Sequence, residues 1–364
     1  MKKMAIASAA CGLLLFSGQA LAADGLTVAD ALKDVQINGF LSAGYNYNFN
    51  EPHTRAINLR PFNDTHDSIS VELAQLVFHK DAEEAGDAGF RLDLNFGYTV
   101  PKAIHATGAA SSDDFDIRQA YISYMAPVGS GLRLDFGKFV TDHGSEVIEG
   151  YEDWNLNYSR SFLFYFSIPF THTGLRATYS VNDALMLSGA IVNGWDNVKD
   201  NNTSKSVHLH AAITPWTDTV VNVKYMVGSE QDNNNNLRHL FNLNLSKQFG
   251  KLTLKADYVY GTEENVPGIG DSTWTGVAGY ARYAVSDRFA LNARAEVFSD
   301  EDGARTGTAQ DLWELTLTPE YAVNENLLIR AEYRHDNSDN DVFDKDGSVS
   351  DTQDTVALNA IYHF

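Results

Sequence analysis

The feature that most constrains this chain is an alternation of apolar and polar side chains that recurs along most of its length from Val35 onward. The segment GFRLDLNF at 89–96 is the clearest case, and FALNARAEV at 289–297 is another. Successive side chains of a strand point to opposite faces, so a period of two residues predicts β-strands. Soluble sandwiches and membrane barrels share this period, and strand length and loop length separate the two classes.

The alternating segments are long for a soluble sheet, whose strands typically have about five or six residues, and they suit tilted strands that cross a bilayer. Their connections alternate between tight turns and long polar loops, which is typical of an all-β, antiparallel, up-and-down outer-membrane barrel with its short turns in the periplasm. The sixteen predicted strands are 35–48, 68–80, 88–100, 116–126, 131–141, 171–181, 184–195, 204–214, 218–230, 237–249, 251–263, 273–285, 288–299, 310–322, 326–336 and 353–364.

The apolar segment 161–168 tests this interpretation, because it also has the composition of a strand. Counting it would give seventeen strands, an odd number that would place the chain ends on opposite sides of the membrane. We therefore predict that 142–170 is one long loop, the third from the start, which folds inward and constricts the barrel.

The start of the chain predicts export. Lys2 and Lys3 precede an apolar stretch at 5–16 and the sequence ALA at 20–22, the pattern of a Sec-type signal peptide over 1–22. No later segment approaches the ~20 apolar residues of a membrane-spanning helix. We therefore expect a short periplasmic N-terminal segment at 23–34 and a barrel at 35–364 in the outer membrane of a Gram-negative bacterium.

The last predicted strand carries a second targeting feature. Its apolar face ends with Tyr362 and Phe364, the final residue of the sequence. A terminal Phe with an aromatic residue two positions before it resembles the signal by which outer-membrane proteins are recognised for assembly. The pattern predicts the outer-membrane assembly machinery as a partner, beside outer-membrane lipid and lipopolysaccharide.

The formal charge of −21 argues against a nucleic-acid-binding protein, which needs clustered cations. Charged side chains on the lipid side of a barrel are costly, so those within the strands are expected to face a water-filled lumen. The expected lumen cations are Arg91, Arg118, Arg133, Arg176, Lys224, Lys255, Arg288, Arg294, Arg330 and Arg334, and the expected anions are Asp93, Asp135, Asp257, Glu296, Glu314, Glu320 and Glu332.

The predicted constriction combines the acidic loop 142–170 with this wall. Acids facing arginines across water would create a transverse field that orients dipolar solutes. The alternative is a loop that lies outside the barrel with solvated acids, although its aromatic run at 162–166 favours an enclosed position. The predicted constriction residues are Asp142, Glu146, Glu149, Glu152, Asp153 and Arg160 of the loop with Arg91, Arg118, Arg133, Arg176, Arg330 and Arg334 of the wall.

Several blocks of sequence also carry a resemblance. They are QAYISY at 119–124, APVGSGL at 126–132, GKF at 137–139, GSE at 144–146, NYSRS at 157–161, PFTHTG at 169–174 and NGWD at 193–196. Together they resemble the OmpL-like family of outer-membrane β-barrel porins, and they cover about 119–196. The resemblance implies a porin-like channel, and it assigns no catalytic or binding role to particular residues.

The predicted function is a passive diffusion channel for small hydrophilic solutes and ions, without a cofactor or a resident metal. A non-conducting barrel whose surface loops bind a ligand or partner is the second hypothesis. A rim hydrolase built on His143 and Ser145 is the third, and we predict no enzymatic activity. By analogy with other sixteen-stranded porins, a homotrimer is the assembly to test.

Two further motifs have an ordinary structural interpretation. The aspartate-rich segment DKDG at 344–347 is similar to part of a calcium loop, but Val349 and Thr355 stand where an EF-hand needs Gly and Glu. His208 and His210 share a strand face without a third ligand nearby in sequence, which predicts polar lumen residues rather than a metal site.

Overall fold

The computed structural model describes residues 34–100, 114–232 and 234–364. The predicted signal peptide at 1–22 and nearly all of the segment 23–34 lie outside the described residues. Among the helices of the described part, none is both long and apolar enough to cross a membrane.

Sixteen antiparallel strands form one closed barrel, which confirms the predicted fold class. The barrel strands are β1 (Gln36–Asn48), β2 (Ser68–Lys80), β3 (Ala88–Phe96), β4 (Phe115–Ala126), β5 (Leu132–Val140), β6 (Thr171–Asn182), β7 (Leu185–Val192), β8 (Ser206–Trp216), β9 (Thr219–Ser229), β10 (Leu237–Phe249), β11 (Leu252–Val266), β12 (Gly270–Ala284), β13 (Phe289–Asp300), β14 (Gln310–Ala322), β15 (Leu327–Ser338) and β18 (Thr352–His363). The short strands β16 (Phe343–Lys345) and β17 (Ser348–Ser350) form a separate hairpin between β15 and β18.

The barrel closes where the first strand meets the last. Leu41 of β1 is paired with Tyr362 of β18, and Gly39 and Phe364 exchange two backbone hydrogen bonds of 3.0 Å. Closure leaves no free sheet edge, so the backbone polar groups of the strands are satisfied without water, as a bilayer requires.

The distribution of side chains is inverted relative to a soluble protein. Residues 313–316 of β14 show this alternation. Glu314 and Thr316 are 1% and 0% exposed, whereas Trp313 and Leu315 are 43% and 42% exposed. Polar residues therefore point into the barrel and apolar residues point outward, as expected for strands surrounded by lipid.

The segment 161–168 does not add a strand. It contains a short helix, α1 (Phe162–Phe166), and Ser161 at its start accepts a hydrogen bond of 3.0 Å from the Phe164 backbone amide. The strand count therefore stays even. The aromatic run has strand-like composition, but it packs as a helix inside a loop.

Two local predictions are wrong. The predicted loop 264–272 is a tight hairpin, because β11 and β12 extend as far as Val266 and Gly270. Acidic residues such as Glu263 and Glu264 hid this extension, since the sequence offers no apolar face there. Arg288 was predicted to face the lumen, but it lies exposed in the turn before β13.

Candidate pore constriction

Loop three, defined here as residues 141–170, connects β5 to β6 and contacts lumen-facing side chains on several strands. Its two ends are joined by a hydrogen bond of 2.9 Å from the Thr141 amide to the Phe170 carbonyl. Within the loop, Phe162 and Leu163 are each 1% exposed, and their amides donate to Glu296 of β13 at 2.6 Å and 3.1 Å. The loop therefore lies against the inner face of the barrel wall.

Two of the predicted acids anchor the loop by direct ion pairs. Glu146 lies 2.7 Å from Arg294, and Glu149 lies 3.1 Å from Arg330. Glu149 also lies 2.9 Å from Arg160 of the loop itself. Burial opposes ionisation of Glu149, but the charges of Arg160 and Arg330 outweigh it, so the pKa of this carboxyl is lower than usual.

The arginines under the loop are fully covered. The side chains of Arg294, Arg330 and Arg334 are 0% exposed. Arg334 donates to the backbone carbonyl of Arg160 at 2.5 Å and to Asp336 at 2.5 Å. The acids of the loop and the arginines of the wall are in direct contact here, so the predicted water-filled gap between them is absent at these positions. These contacts attach the loop to the wall.

A second group of predicted residues meets the loop from strands β3 and β4. Arg91 of β3 lies 2.8 Å from Glu152, and Arg118 of β4 donates to the backbone carbonyls of Ile148 and Glu149 at 2.5 Å and 3.4 Å. Burial raises the pKa of Glu152, but the hydrogen bond and charge of Arg91 prevail and the net pKa is lowered.

The remaining predicted cations share one carboxylate. Arg133 and Arg176 each lie 2.9 Å from Asp135, and Arg176 also lies 3.6 Å from Asp142 at the start of the loop. Burial disfavours the charged form of Asp142, yet contacts with His210 and Arg176 hold its pKa well below the usual range. The Asp142 carboxylate is therefore ionised at neutral pH.

A cavity of about 330 Å³ remains between the loop and the wall. Its walls include Asp142 and Asp153 of the loop and His210, Asn222 and Lys224 of β8 and β9. Within the described part of the chain, neither Lys224 nor Asp153 lies within 4.0 Å of an oppositely charged side chain, although both line this cavity. Lys224 instead donates to the carbonyl of Gly144 at 3.2 Å and to the side-chain oxygen of Asn244.

The sequence prediction missed several residues that hold the loop. Arg60, from the loop after β1, lies 2.6 Å from Asp336. Tyr158 of loop three donates to Glu72 and accepts from Asn46 at 3.2 Å. Gly44, in the same strand as Asn46, was the one sequence signal for this contact, because a glycine inside a strand often marks the close approach of another group. An added Cβ at Gly44 would lie 2.1 Å from the Tyr158 hydroxyl.

The residues of the hydrolase hypothesis do not form a nucleophile and base. Ser145 accepts a hydrogen bond of 3.1 Å from Asn244, while both ring nitrogens of His143 lack a partner within the described part of the chain. A serine nucleophile needs a hydrogen bond to a base, so the geometry gives this hypothesis no support.

The aspartate-rich loop is tied to another loop. Asp344 accepts hydrogen bonds from the amide and hydroxyl of Thr54 at 2.9 Å and 2.6 Å. Residues 34–100, 114–232 and 234–364 contain no group of three or more His, Cys, Asp or Glu residues arranged to hold a metal ion.

Comparison with known proteins agrees with this architecture. The sequence model of the family described as "Putative beta-barrel porin-2, OmpL-like" matches residues 34–364. A search of curated proteins finds no match.

Three solved structures illustrate the likeness in fold. The outer membrane channel DcaP of Acinetobacter baumannii has a TM-score of 0.62 and 14% identity, covering 91% of this chain and 97% of that one. The anion-selective porin from Comamonas acidovorans has a TM-score of 0.61 and 11% identity, covering 91% and 99%. A trimer form of in-vitro folded OmpT of Vibrio cholerae has a TM-score of 0.59 and 14% identity, covering 91% and 99%. At these identities the likeness concerns the fold alone.

Proposed function

Since this chain belongs to the beta-barrel porin-2, OmpL-like family, we propose that it is an outer-membrane porin through which small hydrophilic solutes and ions diffuse passively. One observation carries the proposal: a closed sixteen-stranded barrel keeps its charged side chains inside and its apolar side chains outside. Sixteen strands enclose a lumen wide enough for an aqueous path.

Loop three narrows that path in the proposed channel. Glu146 and Glu149 are bound to the wall, so they act as anchors that hold the loop in place. Solutes would pass on the other side of the loop, where Lys224 of the wall and Asp153 of the loop line the same cavity. These two opposite charges, both outside the ion pairs of the described residues, would form the transverse field.

The remaining predicted wall residues would shape this path. Arg91 and Arg118 line the cavity, and Arg133 and Arg176 lie on the neighbouring strands β5 and β6. Carboxylate partners fix the positions of all four. Paired side chains contribute size and dipoles to the lumen, whereas unpaired ones contribute most of the net field.

Recording from the purified full chain in a planar lipid bilayer tests the proposal. The expected result is discrete current steps, and a barrel that gives none under any voltage is not a porin, which would leave the ligand-binding surface barrel as the better hypothesis. Asp153→Lys should shift the reversal potential toward anion selectivity. Asp341→Lys is the matched control, because it makes the same charge change in an exposed loop far along the chain.

We also propose how the protein reaches and occupies its membrane. The signal at 1–22 would direct export, 23–34 would remain as a short periplasmic segment, and Tyr362 with Phe364 would be recognised by the assembly machinery. Both aromatic side chains are exposed on the outside of the barrel, at 47% and 55%. Lipid and lipopolysaccharide would surround the apolar belt, and the trimer form of OmpT supports testing a homotrimer.

A further inference from the structure

The cavity beside loop three is large enough for a small solute as well as for water. Its volume of about 330 Å³ corresponds to roughly ten water molecules at the liquid density of water. Loop three supplies one side, and strands β3, β4, β5, β8 and β9 supply the other. The chemistry of this lining decides which solutes it favours.

Most acids of the lining already have cationic partners. Glu146 lies 2.7 Å from Arg294, and Glu152 lies 2.8 Å from Arg91. Asp142 lies 3.6 Å from Arg176 and 3.5 Å from His210. These carboxylates are therefore poorly available to a passing cation, and among the acids of the lining Asp153 is the exception.

The nitrogen groups of the lining are in the opposite situation. His143, Lys224 and Arg118 are 2%, 4% and 7% exposed, and all three line the cavity. Within the described residues, Arg118 Nε and both ring nitrogens of His143 have no hydrogen-bond partner. Buried donors without acceptors are costly, so such a cluster favours a ligand that brings acceptors.

The protonation state of His143 fits the same conclusion. Burial, followed by the nearby His208 and Lys224, lowers its pKa well below the ordinary value. At neutral pH the ring is therefore uncharged and offers one N–H donor. Lys224 supplies the positive charge, because the oxygens of Gly144 and Asn244 that it contacts are neutral.

We propose that this cavity is a transient binding site for the carboxylate of a small organic anion, with Lys224, Arg118 and His143 as its donors. The inference rests on the proposed porin function, because the site lies on the path that solutes would take. Charge-assisted hydrogen bonds to a carboxylate are short and strong. A single such site in a channel speeds passage only if the solute binds tightly enough to enter and weakly enough to leave.

Single-channel recording with three four-carbon probes of similar size tests the site. The probes are succinate, the neutral succinamide and the cation 1,4-diaminobutane, each added to the same potassium chloride solution. Succinate should interrupt the current in a concentration-dependent way, and the other two should not. Lys224→Gln should weaken the succinate effect about tenfold or more, the size expected for a lost hydrogen bond to a charged group.

Lys255→Gln is the matched control. It removes the same charge from β11, but Lys255 does not line the cavity. This variant should keep the wild-type succinate concentration dependence within about twofold, since a general loss of lumen charge is screened by salt. Equal losses in both variants, or no preference for succinate over succinamide, would overturn the site.

Equilibrium dialysis of radiolabelled succinate against the detergent-purified full chain separates the two proposals. Current steps without Lys224-dependent succinate binding would overturn the site and leave the porin function intact. Succinate binding that Lys224→Gln abolishes, in a barrel that gives no current steps, would instead overturn the porin function. A heat-dependent shift in gel mobility should show that each variant still forms the folded barrel.

Discussion

Replacing Arg294 with methionine should release loop three from the wall. The Arg294 side chain is 0% exposed and lies 2.7 Å from both Glu146 and Glu314. It also donates to the carbonyl of Ser159 at 2.6 Å. Removing one partner of a buried ion pair typically costs about 3–5 kcal/mol, because the other charge stays buried without compensation. The cost falls on the docked loop, since an undocked Glu146 can be hydrated.

At about 1.4 kcal/mol for each factor of ten, an energy of that size lowers the ratio of docked to undocked loop by a factor of roughly one hundred to several thousand. Single-channel recording should therefore show frequent steps of larger conductance in Arg294→Met that are rare in the wild type. Adding Glu146→Gln should restore much of the wild-type behaviour, because it removes the unpaired charge and keeps an acceptor for Ser161. If the current traces of Arg294→Met and the wild type coincide, these contacts do not hold the loop.

Three other variants probe the same account. Gly44→Ala should also loosen the loop and raise the frequency of large steps, because the new Cβ would collide with the Tyr158 hydroxyl at 2.1 Å. Gly279→Ala is its control and should leave the steps unchanged, because the nearest atom to the new Cβ is the Ala295 carbonyl oxygen at 4.0 Å. The pKa of His143 in the docked loop is lower than its ordinary value of 6.5. His143 therefore binds a proton more readily when the loop is undocked, and docking should weaken as the pH falls below about 6.5. Current noise should then rise between pH 7.5 and pH 5 in the wild type and much less in His143→Gln, and an equal rise in both would exclude this histidine. Phe364→Ser should lower the yield of folded barrel in the outer membrane, measured by heat-dependent gel mobility, and an unchanged yield would remove the terminal aromatic residue from the proposed assembly signal.

The strands could be predicted from the sequence because lipid on one side and polar lumen on the other impose a strict period of two. β14 shows this directly, with Trp313 and Leu315 outside and Glu314 and Thr316 inside. Beyond the membrane both faces of a strand meet water and the period disappears. That is why the hairpin around 267–269 was predicted as a long loop.

The residues of the constriction could be predicted better than their contacts. Net charge and position indicated that Glu146, Glu149 and the lumen arginines belong to one region. The sequence contains no information on which acid meets which arginine, since Glu146 and Arg294 are 148 positions apart and meet only after the barrel closes. The predicted water gap between the loop and the arginines under it is wrong for the same reason. Asp153 was predicted for the constriction, whereas Lys224, which lines the same cavity, was predicted only as a lumen cation.

Liposome swelling tests the central claim most directly, because it measures the passive entry of uncharged hydrophilic solutes through the purified barrel. The account predicts that wild-type liposomes swell in arabinose, more slowly in glucose and hardly at all in raffinose, because loop three is bound to the wall inside the barrel and narrows the lumen. Arg294→Met should extend swelling to the larger sugars. Wild-type liposomes that swell no faster in arabinose than protein-free liposomes would contradict the proposed channel.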